Sequence, residues 1–184
     1  ASVHEVLYLL FNEGYLSLHA ESAIRRDLCD EALRLAALLA EHPVGAVPET
    51  FALLALMHLH AARFAARVDG SGGLLLLEEQ DRRLWDHERM RVGAEWLARS
   101  ASGDAFSRYH AEAGIAAEHC FAPSFAQTHW QEIADLYAML EHLAYENGTV
   151  CLYVTFKATR NETLAARRRV NVTIRSGRDG NGPI

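Results

Sequence analysis

The chain has 184 residues, half of them apolar, with 18 basic and 24 acidic side chains, enough to bury one sizeable core and too apolar for disorder over most of its length. Residues 1–145 hold 11 Arg and no Lys against 21 acidic residues, which excludes docking of that body on DNA phosphates, whereas 146–184 hold 7 basic and 3 acidic residues. No run approaches the roughly 18 apolar residues of a membrane helix, and the start lacks the order of a signal peptide, so a cytoplasmic protein without membrane contact is expected.

Val3, Val6, Leu7, Leu10 and Phe11 recur at helical spacing. They predict a first helix with that face buried and Gly14 as its stop. A second helix is predicted from about Ser22 to Glu41, with Leu28, Leu35, Leu38 and Leu39 inward and His42-Pro43 ending it. Pro48 suits an early helical position, and a third helix is predicted from Glu49 to about Val68. Phe51, Leu53, Leu54, Leu56, Met57 and Leu59 surround it on nearly all sides, so it is expected to be the central buried helix.

Asp69 to Gly73 reads as a turn, and Leu74 to Leu77 as either a short extended segment or the start of a helix. A fourth helix is expected from about Asp81, stacking Trp85, Arg89, Val92 and Trp96, and breaking at Ser100 to Asp104. Phe106 to Cys120 reads as a fifth, whose small face is Tyr109, Ala113, Ala116, Ala117 and Cys120. Gly114 inside it costs about 1 kcal/mol relative to Ala, so a tight neighbour is expected there. Thr128 and Gln131 form a capping-box pattern for a sixth helix carrying Trp130, Ile133, Ala134, Tyr137 and Leu140.

The expected fold class is all-α, an irregular multi-helix bundle of antiparallel helical hairpins over residues 1–145. Residues 146–184 form a second, basic segment. Asn147-Gly148 marks a turn there, Thr149 to Phe156 and Val170 to Ile174 favour extended structure, and a Gly-rich end follows. Helical pairs recur at about the 34 residues of tetratricopeptide units without a shared motif, so any solenoid would be irregular.

Catalytic patterns are sparse. His110-Ala-Glu112 with Cys120 has the beginning of a zinc-deaminase motif but lacks P-C-x-x-C. His58 and His60 point to opposite sides of a helix and read as a core or interface pair. Cys29, Cys120 and Cys151 fit neither a disulfide framework nor a zinc knuckle, and read as buried thiols in a reducing compartment. No enzyme activity, metal or cofactor is expected.

Two groups of residues are candidates for a structural or partner-contact role. Asn12, Glu13 and Tyr15 close the first helix as a polar network or an exposed contact. Gln80, Asp81, Arg82 and Trp85 read as a start to the fourth helix, with Asp81 as cap and Arg82 and Trp85 set against the third helix, or as a partner surface. Arg63 and Arg67, one turn apart, are expected to pair with carboxylates, with Glu13, Glu78 or Asp81 available if they are buried.

LYLLFNEGY at 7–15, PETFALLALMHLHAARFAARVD at 48–69, LEEQDRRLWD at 77–86, YHAEAGIAAEHCFAP at 109–123 and the Thr128, Trp130, Ile133, Leu136, Tyr137 pattern follow one another over some 140 residues. This series resembles extracytoplasmic-function sigma factors of bacterial RNA polymerase, in the subgroup with a long tetratricopeptide-like C-terminal extension. The chain matches the extension alone. Phe64 stands where the family has a second Arg, His129 where it has Asp, and Tyr145 onward departs from its continuation.

The resemblance implies a non-enzymatic regulatory or interaction domain for transcription initiation. Its partners would be the RNA polymerase core or other regions of the sigma factor, with DNA reached only through regions absent from this chain. The alternative is a helical scaffold that takes a small molecule or peptide in a groove lined by Trp85, Trp96, Tyr109 and Trp130.

Overall fold

The computed structural model describes residues 2–16 and 24–146, with side chains as far as 143. The predicted helix start at Ser22, Cys151 and the tail beyond 146 lie outside the described residues. Within them the molecule is all-α, with six α-helices, short 3-10 turns and no strand.

Helix α1 spans Val3–Tyr15. Ser2 starts it with a reciprocal capping box: its hydroxyl accepts the Glu5 N–H, and the Glu5 carboxylate accepts the Ser2 N–H at 2.8 Å. The buried residues are Leu7, Phe11 and Gly14, while Val3 and Val6 are exposed. The inward face is therefore rotated from the expected one, and Gly14 lies inside the helix instead of stopping it. A Cβ at Gly14 would lie 2.7 Å from the Arg25 carbonyl oxygen and 2.9 Å from the Cys29 nitrogen, so only glycine permits this crossing. The Gly14 carbonyl accepts the Arg25 N–H at 2.7 Å across the same contact.

Helix α2, Arg26–Glu41, packs through Cys29, Ala32, Leu33, Ala36 and Ala40. Leu38, expected inward, is exposed. Small side chains bring the α2 backbone close to its neighbours, and Leu35 and Leu39 flank the contact half-buried.

Helix α3, Pro48–Ala61, is the expected central helix: every residue from Thr50 to Met57 is buried, as are Leu59 and Ala61. It packs against α1, α2, α4 and α5. It ends well before Val68, for a reason set far along the chain. The Ala62 carbonyl accepts the Asp86 N–H at 2.8 Å, and the Ala66 N–H bonds Arg63 instead, tightening Phe64–Ala66 into a 3-10 turn. Val68 and Leu74 then form an isolated antiparallel bridge around the expected turn, where the Asp69 carboxylate accepts the N–H groups of Ser71 and Gly73.

The segment from Asp81 expected to open the fourth helix is instead the 3-10 turn Arg82–Leu84, preceded by another at Leu77–Glu79. Helix α4 is His87–Ser100, and its cap is Asp86, whose carboxylate accepts the Arg89 N–H at 3.0 Å. Asp81 caps only the Arg82–Leu84 turn. The placement expected of Asp81 is corrected by five residues' worth of extended and 3-10 backbone that carries the chain across the end of α3.

Helices α5, Arg108–Phe121, and α6, Trp130–Glu146, form a hairpin. Tyr109, Ala113, Ala116 and Cys120 are buried as expected, and a Cβ on Gly114 would lie 3.0 Å from Leu136, the tight neighbour anticipated there. The Thr128/Gln131 capping box does not form: the Thr128 hydroxyl donates to the Ser124 carbonyl, and the Gln131 amide to Asp135. One core surrounds α3, and a smaller cluster of Ala111, Ile115, Ile133 and Leu140 joins α5 to α6.

Candidate functional site

Tyr15 comes from the end of α1, and Arg63 and Arg67 from the turns that follow α3. The Tyr15 hydroxyl accepts from Arg63 Nη2 at 2.8 Å, and its backbone carbonyl from Arg67 Nη1 at 3.2 Å. The Arg67 guanidinium lies 3.6 Å from the centroid of the Tyr15 ring, a cation–π stack. The Arg63 Nη2 also donates to His60 Nδ1 at 2.9 Å, which makes that nitrogen an acceptor and the ring neutral. Burial, with Arg63 and Arg67 beside it, holds the His60 pKa well below its usual value.

The sequence expectation of carboxylate partners for Arg63 and Arg67 is therefore corrected. Among the described residues neither forms an ion pair: Asp81 pairs with Arg83 at 2.7 Å. Tyr15, at the end of α1, and His60, in the last turn of α3, take these donors instead. Asn12 contributes backbone, its carbonyl accepting the Leu16 N–H that closes α1, and Glu13 is exposed.

The second candidate group gathers where α3, α5 and the 3-10 turns meet. Arg82 donates through Nη1 to the His119 carbonyl at 3.1 Å and the Ala122 carbonyl at 2.7 Å, closing the C-terminus of α5. The partner of Arg82 is thus α5, whereas α3 was expected. Its guanidinium sits 4.4 Å from the Trp85 ring centroid, and Trp85 is buried. Gln80, also buried, donates to the Leu75 carbonyl at 3.3 Å. Trp130 packs edge-on against Phe125 and His119, with centroids at 4.9 and 5.6 Å.

The four rings named as a groove have separate partners. Trp96 stacks on Phe51, Tyr109 lies against His4 and Tyr8, and no ring contact among the described residues joins two of Trp85, Trp96, Tyr109 and Trp130.

The enzyme-like triplet is spent on packing. His110 accepts the Ser107 N–H through Nδ1 at 3.0 Å and faces the Ser100 carbonyl through Nε2 at 3.2 Å. Glu112 accepts from Arg108 and from the Tyr8 hydroxyl. Burial pushes both described thiols up, Cys29 to about 12. Among the described residues no group of three or more His, Cys, Asp or Glu side chains could hold a metal ion.

One surface was missed by sequence reasoning. Val3, Val6, Leu9 and Leu16 are each more than half exposed, and Leu10 is half-buried beside them, with Glu13 the acidic side chain in their midst. The signal was available: α1 holds more apolar residues than one buried face can use, and the surplus had to lie outside.

A family model described as a family of unknown function (DUF6596) matches residues 1–101. The chain belongs to that family. The DUF6596 match takes in α1 to α4 with their share of the core around α3, to which α5 adds Tyr109, Ala113, Ala116 and Cys120 from outside the match, and both candidate groups save their contacts with α5 and α6. An uncharacterized protein of Rhizobium meliloti (strain 1021) is 40% identical over 143 residues, covering 78% of this chain and 34% of its own length. The chain thus spans about a third of that relative. No solved structure matches. No helix among the described residues is long and apolar enough to cross a membrane.

Proposed function

We propose that this chain is a regulatory or interaction domain of a bacterial sigma-factor-like transcription initiation protein, cytoplasmic and acting through protein contacts. The observation that carries the reading is the outward apolar strip of α1, Val3, Val6, Leu9 and Leu16, beside the FNEGY sequence at 11–15. Burying exposed leucine and valine is worth about 25 cal/mol per Å², so such a strip favours a protein partner. The motif series supports the family of that partner: the RNA polymerase core, or the other regions of the sigma factor. The acidic balance of residues 1–145 favours protein over DNA as the direct contact. The longer Rhizobium relative leaves room for promoter-reading regions in a full protein.

Biolayer interferometry of the 184-residue chain against bacterial core polymerase and against sigma promoter-binding regions tests this. Binding to one of them, weakened at least tenfold by Val6→Asp with Leu9→Asp, is the expected result. Binding to neither, or tight promoter binding by the chain alone in a gel shift, overturns it.

A further inference from the structure

Most accessible arginines of this protein are already neutralised. Arg25, Arg34, Arg83, Arg89, Arg91 and Arg108 each have a carboxylate within ion-pair distance. Arg26, Arg67 and Arg99 have none among the described residues, although residues 1–145 carry 21 acidic side chains against 11 Arg. Arg99 stands apart, over Phe51 near the start of α3.

Arg26 and Arg67 meet at one pair of rings near the end of α3. The Arg67 guanidinium lies 3.6 Å from the Tyr15 centroid, the Arg26 guanidinium lies 5.8 Å from the Phe64 centroid, and the two rings are 6.0 Å apart. Arg63 fixes the Tyr15 hydroxyl at 2.8 Å, and the Tyr15 carbonyl fixes Arg67 Nη1 at 3.2 Å. A guanidinium stacked on a ring spends its face there. Its planar N–H edge remains available for bidentate bonds to a carboxylate.

Both side chains reach water. Arg26 is exposed, and Arg67 is half-buried, with Nε and Nη2 that are not shut away from solvent as Arg63 Nε and Arg82 Nη2 are. The neighbouring carboxylates of α2 are engaged elsewhere: Asp27 pairs with Arg25 at 2.9 Å and Asp30 with Arg89 at 3.4 Å. Burial first, and Arg63 after it, pull the Arg67 pKa down, as befits a cation short of negative charge. A nucleic acid would bring a long row of phosphates against an acidic body, whereas a short run of carboxylates needs only these two guanidiniums.

We propose that Arg26 and Arg67, presented on the Phe64 and Tyr15 rings, form a docking point for an acidic segment of a partner protein, a stretch rich in Asp or Glu whose carboxylates take the two guanidinium edges. The docking point goes beyond the regulatory reading above and stands whether or not polymerase is the partner. It uses none of the residues of the outer α1 strip.

Fluorescence anisotropy of the full chain with a labelled hexaglutamate peptide, and with hexaglutamine as its neutral counterpart, tests the site. The expected result is saturable binding of hexaglutamate that weakens as salt rises, with no binding of hexaglutamine. Arg26→Met and Arg67→Met each weaken it about fivefold, the upper range for one exposed ion pair. Arg34→Met, which removes the same charge from α2 at a residue already paired with Glu31, leaves it unchanged. Should Arg67→Met fail to fold, Arg26→Met decides, because Arg26 is exposed. No binding of hexaglutamate, equal losses in Arg26→Met and Arg34→Met, or tighter binding of a thymidine oligonucleotide of equal charge overturns the site. So does binding that emerges only after Glu21→Gln, since a carboxylate of this chain would then already fill it.

Discussion

Helices α1 and α3 carry similar apolar loads and put them to different use. In α3 nearly every side chain is buried by α1, α2, α4 and α5. In α1 only Leu7, Phe11 and Gly14 are fully buried, and a second apolar strip faces outward. Apolar content measures how much surface a helix has to hide. It does not say whether the cover comes from the same chain.

That contrast predicts a graded set of outcomes. Leu54→Ala in α3, at a fully buried position, is expected to cost about 2–5 kcal/mol in urea denaturation, because the surrounding helices cannot collapse into the cavity. A loss under 1 kcal/mol would mean that α3 is not the centre. Gly14→Val, on the buried side of α1, is expected to cost roughly 1–3 kcal/mol, since the new Cβ meets backbone atoms of Arg25 and Cys29 that have no rotamer to give.

The histidines report on the same core through pH. Burial lowers His58 and His119 from 6.5 to about 4 and holds His60 well below its usual value, so all three stay neutral in the folded state near pH 7. The unfolded chain takes up those protons first. Stability is therefore complete above the unfolded value of 6.5 and falls as pH drops toward 4, by at most about 1.4 kcal/mol per pH unit for each proton. His119→Asn is expected to flatten the denaturation slope in that window by up to one proton, and an unchanged slope would remove His119 from the buried set.

The smallest expected effect is on the outer strip. Val6→Asp and Leu9→Asp are expected to shift stability by no more than about 0.5 kcal/mol, as exposed positions do, while lowering aggregation at high concentration by light scattering. A large loss of stability there would mean that the strip is covered within the chain.

Much of the architecture could be read from residue spacing. The six helices, the central burial of α3, the turn at Asp69 to Gly73 and the close neighbour at Gly114 all follow from local pattern, because each depends on residues within a few turns of one another. The candidate residues were less legible. Tyr15, Arg63 and Arg67 do come together, and so do Arg82 and Trp85, but their partners are distant in sequence. Asp81 could not be told from Asp86 as the cap of α4, since both are followed by helix-compatible residues and the choice was made by the bond between Asp86 and Ala62.

The sequence by itself determined that the described residues are helical around one dominant core, because helical periodicity and apolar share are properties of contiguous residues. Only the tertiary structure decided which strip of α1 faces inward, where α3 stops, and that Arg63 is held by Tyr15 and His60 with no carboxylate partner among the described residues. Those outcomes depend on which helix arrives next to which. A 3.6-residue repeat defines a face but carries no information about the neighbour that will cover it.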